Sequence, residues 1–197
     1  MDMLDRWKNP NNDVVREYAK AFDVVFYKTE NTLKDLFNTR ATEEIVEKRI
    51  DMLDAEYHAG LKRNLGKHSA QEWDVLFKII CSYEGRIKEG DLEVVNELAK
   101  INDNRNCFVF ATKYCSFVRP EYFPVYDRLV IKVLNWFQYK SGRRFYSEKF
   151  LHLEEKKLKY NYKGYKDIID EYRGCYNISL SYKELDKFFW LVGKNHF

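Results

Sequence analysis

The chain has 197 residues, with 34 Lys and Arg set against 31 Asp and Glu for a formal net charge of +3. That length supports a single domain, or two small helical lobes sharing one core, and the mildly basic balance tolerates a polyanion partner without announcing one. No apolar run approaches the roughly 20 residues needed to cross a bilayer, so no membrane segment is expected.

Helical periodicity dominates. Asp13 to Lys28 carries Val14, Val15, Tyr18, Ala21, Phe22, Val25 and Phe26 at helical spacing, which predicts an amphipathic helix with that stripe inward. Thr42 to Arg63 repeats the pattern with Ile45, Ile50, Leu53, Tyr57 and Leu61 and reads as one further helix. Ser69-Ala-Gln-Glu72 is a capping box that starts a helix carrying Trp73, Leu76, Phe77, Ile80 and Tyr83 inward. Gly90-Asp91 introduces a shorter helix from Leu92 to Ile101, broken by Asn102-Asp-Asn104. A helix from about Arg105 to Phe117 follows and must end before Pro120. Asp127 to Tyr139 is the next, interrupted at Ser141-Gly142. Arg143 to Lys163 has no clear period. Tyr165 to Arg173 is helical and stops at Gly174, and Ser181-Tyr-Lys-Glu184 is a second capping box opening a final helix to Gly193. No alternation is long enough for a sheet. The pattern predicts one all-α domain over 1–197, of about eight to ten helices; two small lobes sharing one core, with a cleft near 105–137, are the alternative.

Cys81, Cys107, Cys115 and Cys175 form no C-x-x-C pair, and His58, His68, His152 and His196 fall at no metal-ligand spacing. Neither a metal, a cofactor nor a disulfide frame is expected. The amino-terminal stretch Met1-Asp-Met-Leu-Asp-Arg-Trp-Lys lacks the apolar core of a signal peptide, which predicts a soluble, cytoplasmic protein.

The segment richest in chemistry is Phe110-Ala-Thr-Lys-Tyr-Cys-Ser-Phe-Val-Arg-Pro-Glu-Tyr-Phe-Pro-Val-Tyr-Asp127. It sets Lys113 in an apolar helix, follows it with a turn bracketed by Pro120 and Pro124, and opens the next helix with Asp127. A lysine in apolar surroundings is able to act as an amine nucleophile; the alternative is an ordinary exposed lysine with a buried stem. Asp127 sits where an aspartate caps a helix, and capping alone accounts for it. Such a cap is also held ionised at the helix mouth. Tyr114, Phe117, Tyr122, Phe123 and Tyr126 crowd the segment, and Trp190 lies on the last helix. They line a base-stacking wall or fill a core. From Lys132 to Arg173 eleven Lys or Arg face six Asp or Glu, among them Lys140, Arg143 and Arg144, which suits a phosphate-tracking face or a solvated surface.

A lysine on one helix, a proline-containing turn and an aspartate opening an apolar helix resemble the helix-hairpin-helix DNA glycosylase superfamily, closest to its lysine-containing 8-oxoguanine-type branch, over about thirty residues of the chain. The resemblance implies a two-lobed helical fold and a DNA repair enzyme of base excision, both hydrolase and lyase. In it Lys113 is the nucleophile that forms a Schiff base with the sugar and Asp127 the carboxylate that assists. It further implies double-stranded DNA carrying a damaged or modified base as partner, with Tyr114, Phe117, Tyr126 and Trp190 around the flipped base. The family's hairpin carries Gly-x-Gly before the lysine helix. Here Asn102-Asp-Asn-Arg-Asn106 stands in that place, so Arg105 is expected to contact phosphate by charge, with Arg128, Lys140, Arg143 and Arg144 extending the contact. The rival expectations are a non-catalytic helical module binding nucleic acid or protein, and a helical interaction protein of a defence system.

Overall fold

The capping signals are realised in full. Ser69 Oγ accepts from the Glu72 N–H at 3.3 Å while Glu72 accepts from the Ser69 N–H at 2.7 Å. Ser181 and Glu184 make the same reciprocal pair at 3.2 and 3.0 Å. Each box satisfies two amide groups that a helix start otherwise leaves bare. This computed structural model describes residues 3–66, 69–101, 106–140 and 161–197. Among them every regular element is helical: a 3₁₀ turn Met3–Lys8, then α1 Asn12–Asn38, α2 Glu43–Tyr57, α3 Leu61–Leu65, α4 Ala70–Glu89, α5 Glu93–Ala99, α6 Phe108–Val118, α7 Arg128–Lys140, α8 Tyr162–Cys175 and α9 Tyr182–His196. The all-α expectation holds.

Several boundaries differ from expectation, among them α8, which begins three residues before Tyr165 at Tyr162 and passes through Gly174 to Cys175. Helix α1 runs ten residues past Lys28 to Asn38, because Leu33 and Phe37 continue its buried stripe and neither Gly nor Pro intervenes. Ala21 and Val25, expected on the inward stripe, are instead exposed, Val25 to 70% beside Val24 at 82%. The predicted Thr42–Arg63 helix is two helices. It breaks where His58 and Gly60 take left-handed φ of +50° and +78°, and α3 restarts with Asp54 accepting from the Leu61 and Lys62 N–H groups at 2.9 and 2.7 Å. Helix α9 passes through Gly193 to His196. That glycine serves packing, since a Cβ there would lie 2.7 Å from Leu129 Cβ.

The chain divides into two compact units, Lys28–Phe123 and Met1–Tyr27 with Pro124–Phe197. In the first, α6 packs against α5, α2 and α4 and is buried almost all round, from Phe108 through Ser116 except Val109. A buried ion pair sits at its centre. Arg49 on α2 is 1% exposed and donates to Glu84 Oε1 on α4 at 2.7 Å and to the Tyr114 hydroxyl on α6 at 3.2 Å. Tyr114 in turn donates to Glu84 at 2.7 Å. The rest of the guanidinium donates to the carbonyls of Leu36, Phe37 and Thr39 at the end of α1. A buried charge requires such saturation to be tolerated. Gly90 ends α4 at φ +82°, and a Cβ there would lie 2.5 Å from the Tyr122 ring.

In the second unit α7 packs on α9. Trp7 lies tilted against Trp136 at 4.5 Å and meets Phe137 edge-on, while Phe137, Tyr172 and Phe189 form a continuous aromatic core.

Candidate functional site

Lys113 is not a solvent-facing lysine. It is 6% exposed, and Nζ donates to the main-chain carbonyl of Tyr57 at 2.6 Å. Tyr57 is the last residue of α2, so the ammonium meets the end of a helix whose unpaired carbonyls carry partial negative charge. Helical spacing puts Phe117 one turn further along the same face of α6. Its ring meets Tyr57 edge-on at 5.3 Å and Phe37 at 5.3 Å. Tyr57 donates its hydroxyl proton to the Glu30 carboxylate on α1. The Lys113–Phe117 face of α6 is therefore backed by aromatic rings, with a carboxylate beyond them. Sequence reasoning placed Tyr57 among inward residues and missed Glu30. The available signal was weak: Tyr57 continues the Ile50–Leu53 stripe, while Glu30 lies in the polar stretch Thr29-Glu-Asn-Thr32.

Tyr114 meets the Phe37 ring at 5.2 Å. It is fully buried and held by Arg49 and Glu84. Burial first, and the Glu84 charge second, push its phenol well above the ordinary tyrosine range. A ring so enclosed serves the core of its unit. Burial likewise pushes up the thiols of Cys115, well above the ordinary range, and of Cys107, to about 11, which leaves both as inert packing groups.

In the other unit, Asp127 caps α7, accepting from the Leu129 N–H at 2.9 Å. Tyr126 is buried against Tyr165 at 5.3 Å, edge-on. The Tyr165 hydroxyl donates to the Val125 carbonyl at 2.5 Å. Burial above all, then the charges of Asp186 and Asp127, raise its phenol well beyond the usual range. A depression lined by Pro124, Val125, Tyr165, Tyr182, Leu185 and Asp186 has a volume of about 10 Å³, room for one water and not for a base. Trp190 packs edge-on against Phe22 and Phe26 of α1 at 5.5 and 5.2 Å. Arg128 and Lys140 are exposed. Arg105, Arg143 and Arg144 lie outside the described residues. Lys113 and Asp127 thus belong to different units. Among the described residues no group of three or more His, Cys, Asp or Glu is placed to hold a metal ion, and no helix is long and apolar enough to cross a membrane.

A family profile described as the HI_0787_N N-terminal domain matches residues 2–122, more than half of the chain. The chain belongs to this family. The HI_0787_N match takes in α1 through α6, and with them Lys113, Tyr57, Glu30 and the Arg49–Glu84 pair; it ends before Asp127. A protein of Haemophilus influenzae described as uncharacterized is 36% identical over 121 residues, covering 60% of this chain. The chain spans about half, 54%, of that relative's length. No solved structure matches the chain.

Proposed function

We propose that this protein is a DNA glycosylase with AP lyase activity, excising a damaged or modified base through a Schiff base on Lys113. The observation that supports this most is the setting of the amine: enclosed by an apolar helix, backed by rings and aimed by a main-chain carbonyl. An amine fixed in that manner has already lost most of the freedom that a reaction would otherwise require it to lose.

In the reaction proposed, the deprotonated Lys113 nitrogen attacks C1′ of an extruded nucleotide. The N–C1′ bond forms as the glycosidic bond breaks, and the base leaves with its electron pair and takes up a proton. Loss of the second amine proton and opening of the sugar ring give the imine. Abstraction of a C2′ proton then expels the 3′ phosphate by β-elimination, and water releases the amine. Asp127 enters from the sequence pattern alone, as the carboxylate that offsets positive charge on the sugar. Arg128 and Lys140, both exposed, are proposed phosphate contacts.

One observation favours a second reading. The Lys113–Tyr57 bond also fastens the end of α2, as a lysine with a purely structural role would in a helical module that binds nucleic acid or protein.

Borohydride trapping on duplexes bearing oxidised, alkylated, deaminated or hypermodified bases separates the two. The glycosylase reading expects a covalent complex with at least one lesion, abolished by Lys113→Ala and weakened by Asp127→Asn. The module reading expects salt-sensitive binding that survives both changes. No trapped complex across the panel, from folded protein, refutes the first.

A further inference from the structure

We infer that Glu30, acting through Tyr57, is the positioning residue for the Lys113 amine. Tyr57 is gripped in three places. Its carbonyl receives Lys113 Nζ at 2.6 Å, its ring lies against Phe117 at 5.3 Å, and its hydroxyl donates to Glu30. The next residue, His58, is left-handed at φ +50°, and the His58 and Ala59 N–H groups both donate to the Leu53 carbonyl, so α2 ends at Tyr57 in a closed turn that leaves the Tyr57 carbonyl for a donor from elsewhere. The amine bonded to that carbonyl inherits whatever freedom the turn keeps. The Glu30 contact removes it by tying the Tyr57 side chain to α1, a second helix of the same unit. Glu30 and Tyr57 are partly exposed whereas Lys113 is buried, so the anchor lies outward of the amine it controls. A carboxylate is the stronger partner for this task, because hydrogen bonds to a charged acceptor exceed neutral ones.

The consequence for the proposed lyase chemistry rests on that reading; the consequence for the amine does not. Reductive methylation of the protein without DNA, followed by peptide mass spectrometry, reports how firmly Lys113 is held. Glu30→Ala and Tyr57→Phe are expected to raise the Lys113 labelling rate by roughly fivefold, the scale of one lost hydrogen bond. Glu30→Gln, whose neutral amide oxygen accepts the same phenol proton more weakly, is expected to fall between wild type and Glu30→Ala. A merely structural role for Glu30 would shift the melting temperature while leaving Lys113 labelling unchanged. That result, in the folded Glu30→Ala or Tyr57→Phe protein, overturns the inference, and either variant suffices should the other fail to fold. Should wild type trap no lesion while labelling still responds, the glycosylase reading fails and the positioning role stands.

Discussion

Replacing Arg49 with Met isolates the energetics of the Lys28–Phe123 unit. Methionine fills much of the same volume, so the change removes charge and hydrogen bonds more than packing. Five donor contacts disappear: to Glu84, Tyr114, Leu36, Phe37 and Thr39. The guanidinium also leaves the Phe37 ring, over which it sits at 4.6 Å. What remains is a Glu84 carboxylate that is 6% exposed, supported by the Tyr114 hydroxyl and a distant Lys88 at 3.9 Å. Its Oε2 already has no hydrogen-bond partner. Breaking a buried pair on one side costs about 3–5 kcal/mol, which for a chain of this size lowers Tm by roughly 6–20 °C. Removing both charges is different. The double variant Arg49→Met with Glu84→Met leaves no orphaned ion and is expected to be clearly more stable than Arg49→Met alone. Urea titrations of wild type, both single variants and the double close the cycle. An Arg49→Met protein within about 1 kcal/mol of wild type, or a double variant costing the full sum of the singles, refutes this account of the pair.

Further outcomes follow from other contacts. Gly193→Ala forces a Cβ to within 2.7 Å of Leu129 and is expected to cost about 1–3 kcal/mol in urea denaturation. Gly174→Ala meets nothing within 4 Å and is expected to gain up to about 1 kcal/mol in the same assay. Ser181→Ala loses a complete capping box and should cost about 1 kcal/mol. Glu97 is held below its ordinary carboxyl range chiefly by its hydrogen bond to Arg86, so it contributes stability above about pH 4.5 and loses it as pH falls through its folded value. Glu97→Gln should flatten that acid limb of a stability–pH curve. At the alkaline end, burial holds the Cys107 thiol near 11 against 9.0, so its contribution is complete below pH 9 and lost as pH rises toward 11. Alkylation at pH 8 should accordingly label the partly exposed Cys81 and Cys175 well before Cys107 and Cys115.

Where the determinants are local, the sequence was a sufficient guide. Both serine capping boxes and the Asp127 cap are set by residues within four positions of one another, and each appears as expected. The split of α2 from α3 is also local but was hidden, because Leu61 keeps the helical stripe in register across Gly60. The buried ion pair required more. Arg49 lies in the charged run Glu47-Lys-Arg49, and only its register with Val46, Ile50 and Leu53 hints at burial. Its partners Leu36, Glu84 and Tyr114 come from three other helices. The candidate site divides in the same manner. That Lys113 sits in an apolar helix was legible, but that its amine ends on the Tyr57 carbonyl was not, since 56 residues separate them.

Gly90 shows how tightly two distant stretches of this chain constrain each other's future. Its backbone needs a left-handed turn, and the place a side chain would occupy is already taken by the ring of Tyr122, itself covered by the Arg119 guanidinium at 4.4 Å. Any heavier residue there would have to accept an unfavourable torsion and evict an aromatic ring at once. Evolution can therefore vary this corner only by changing positions 90 and 122 together, which makes the pair a marker to look for when related chains are aligned.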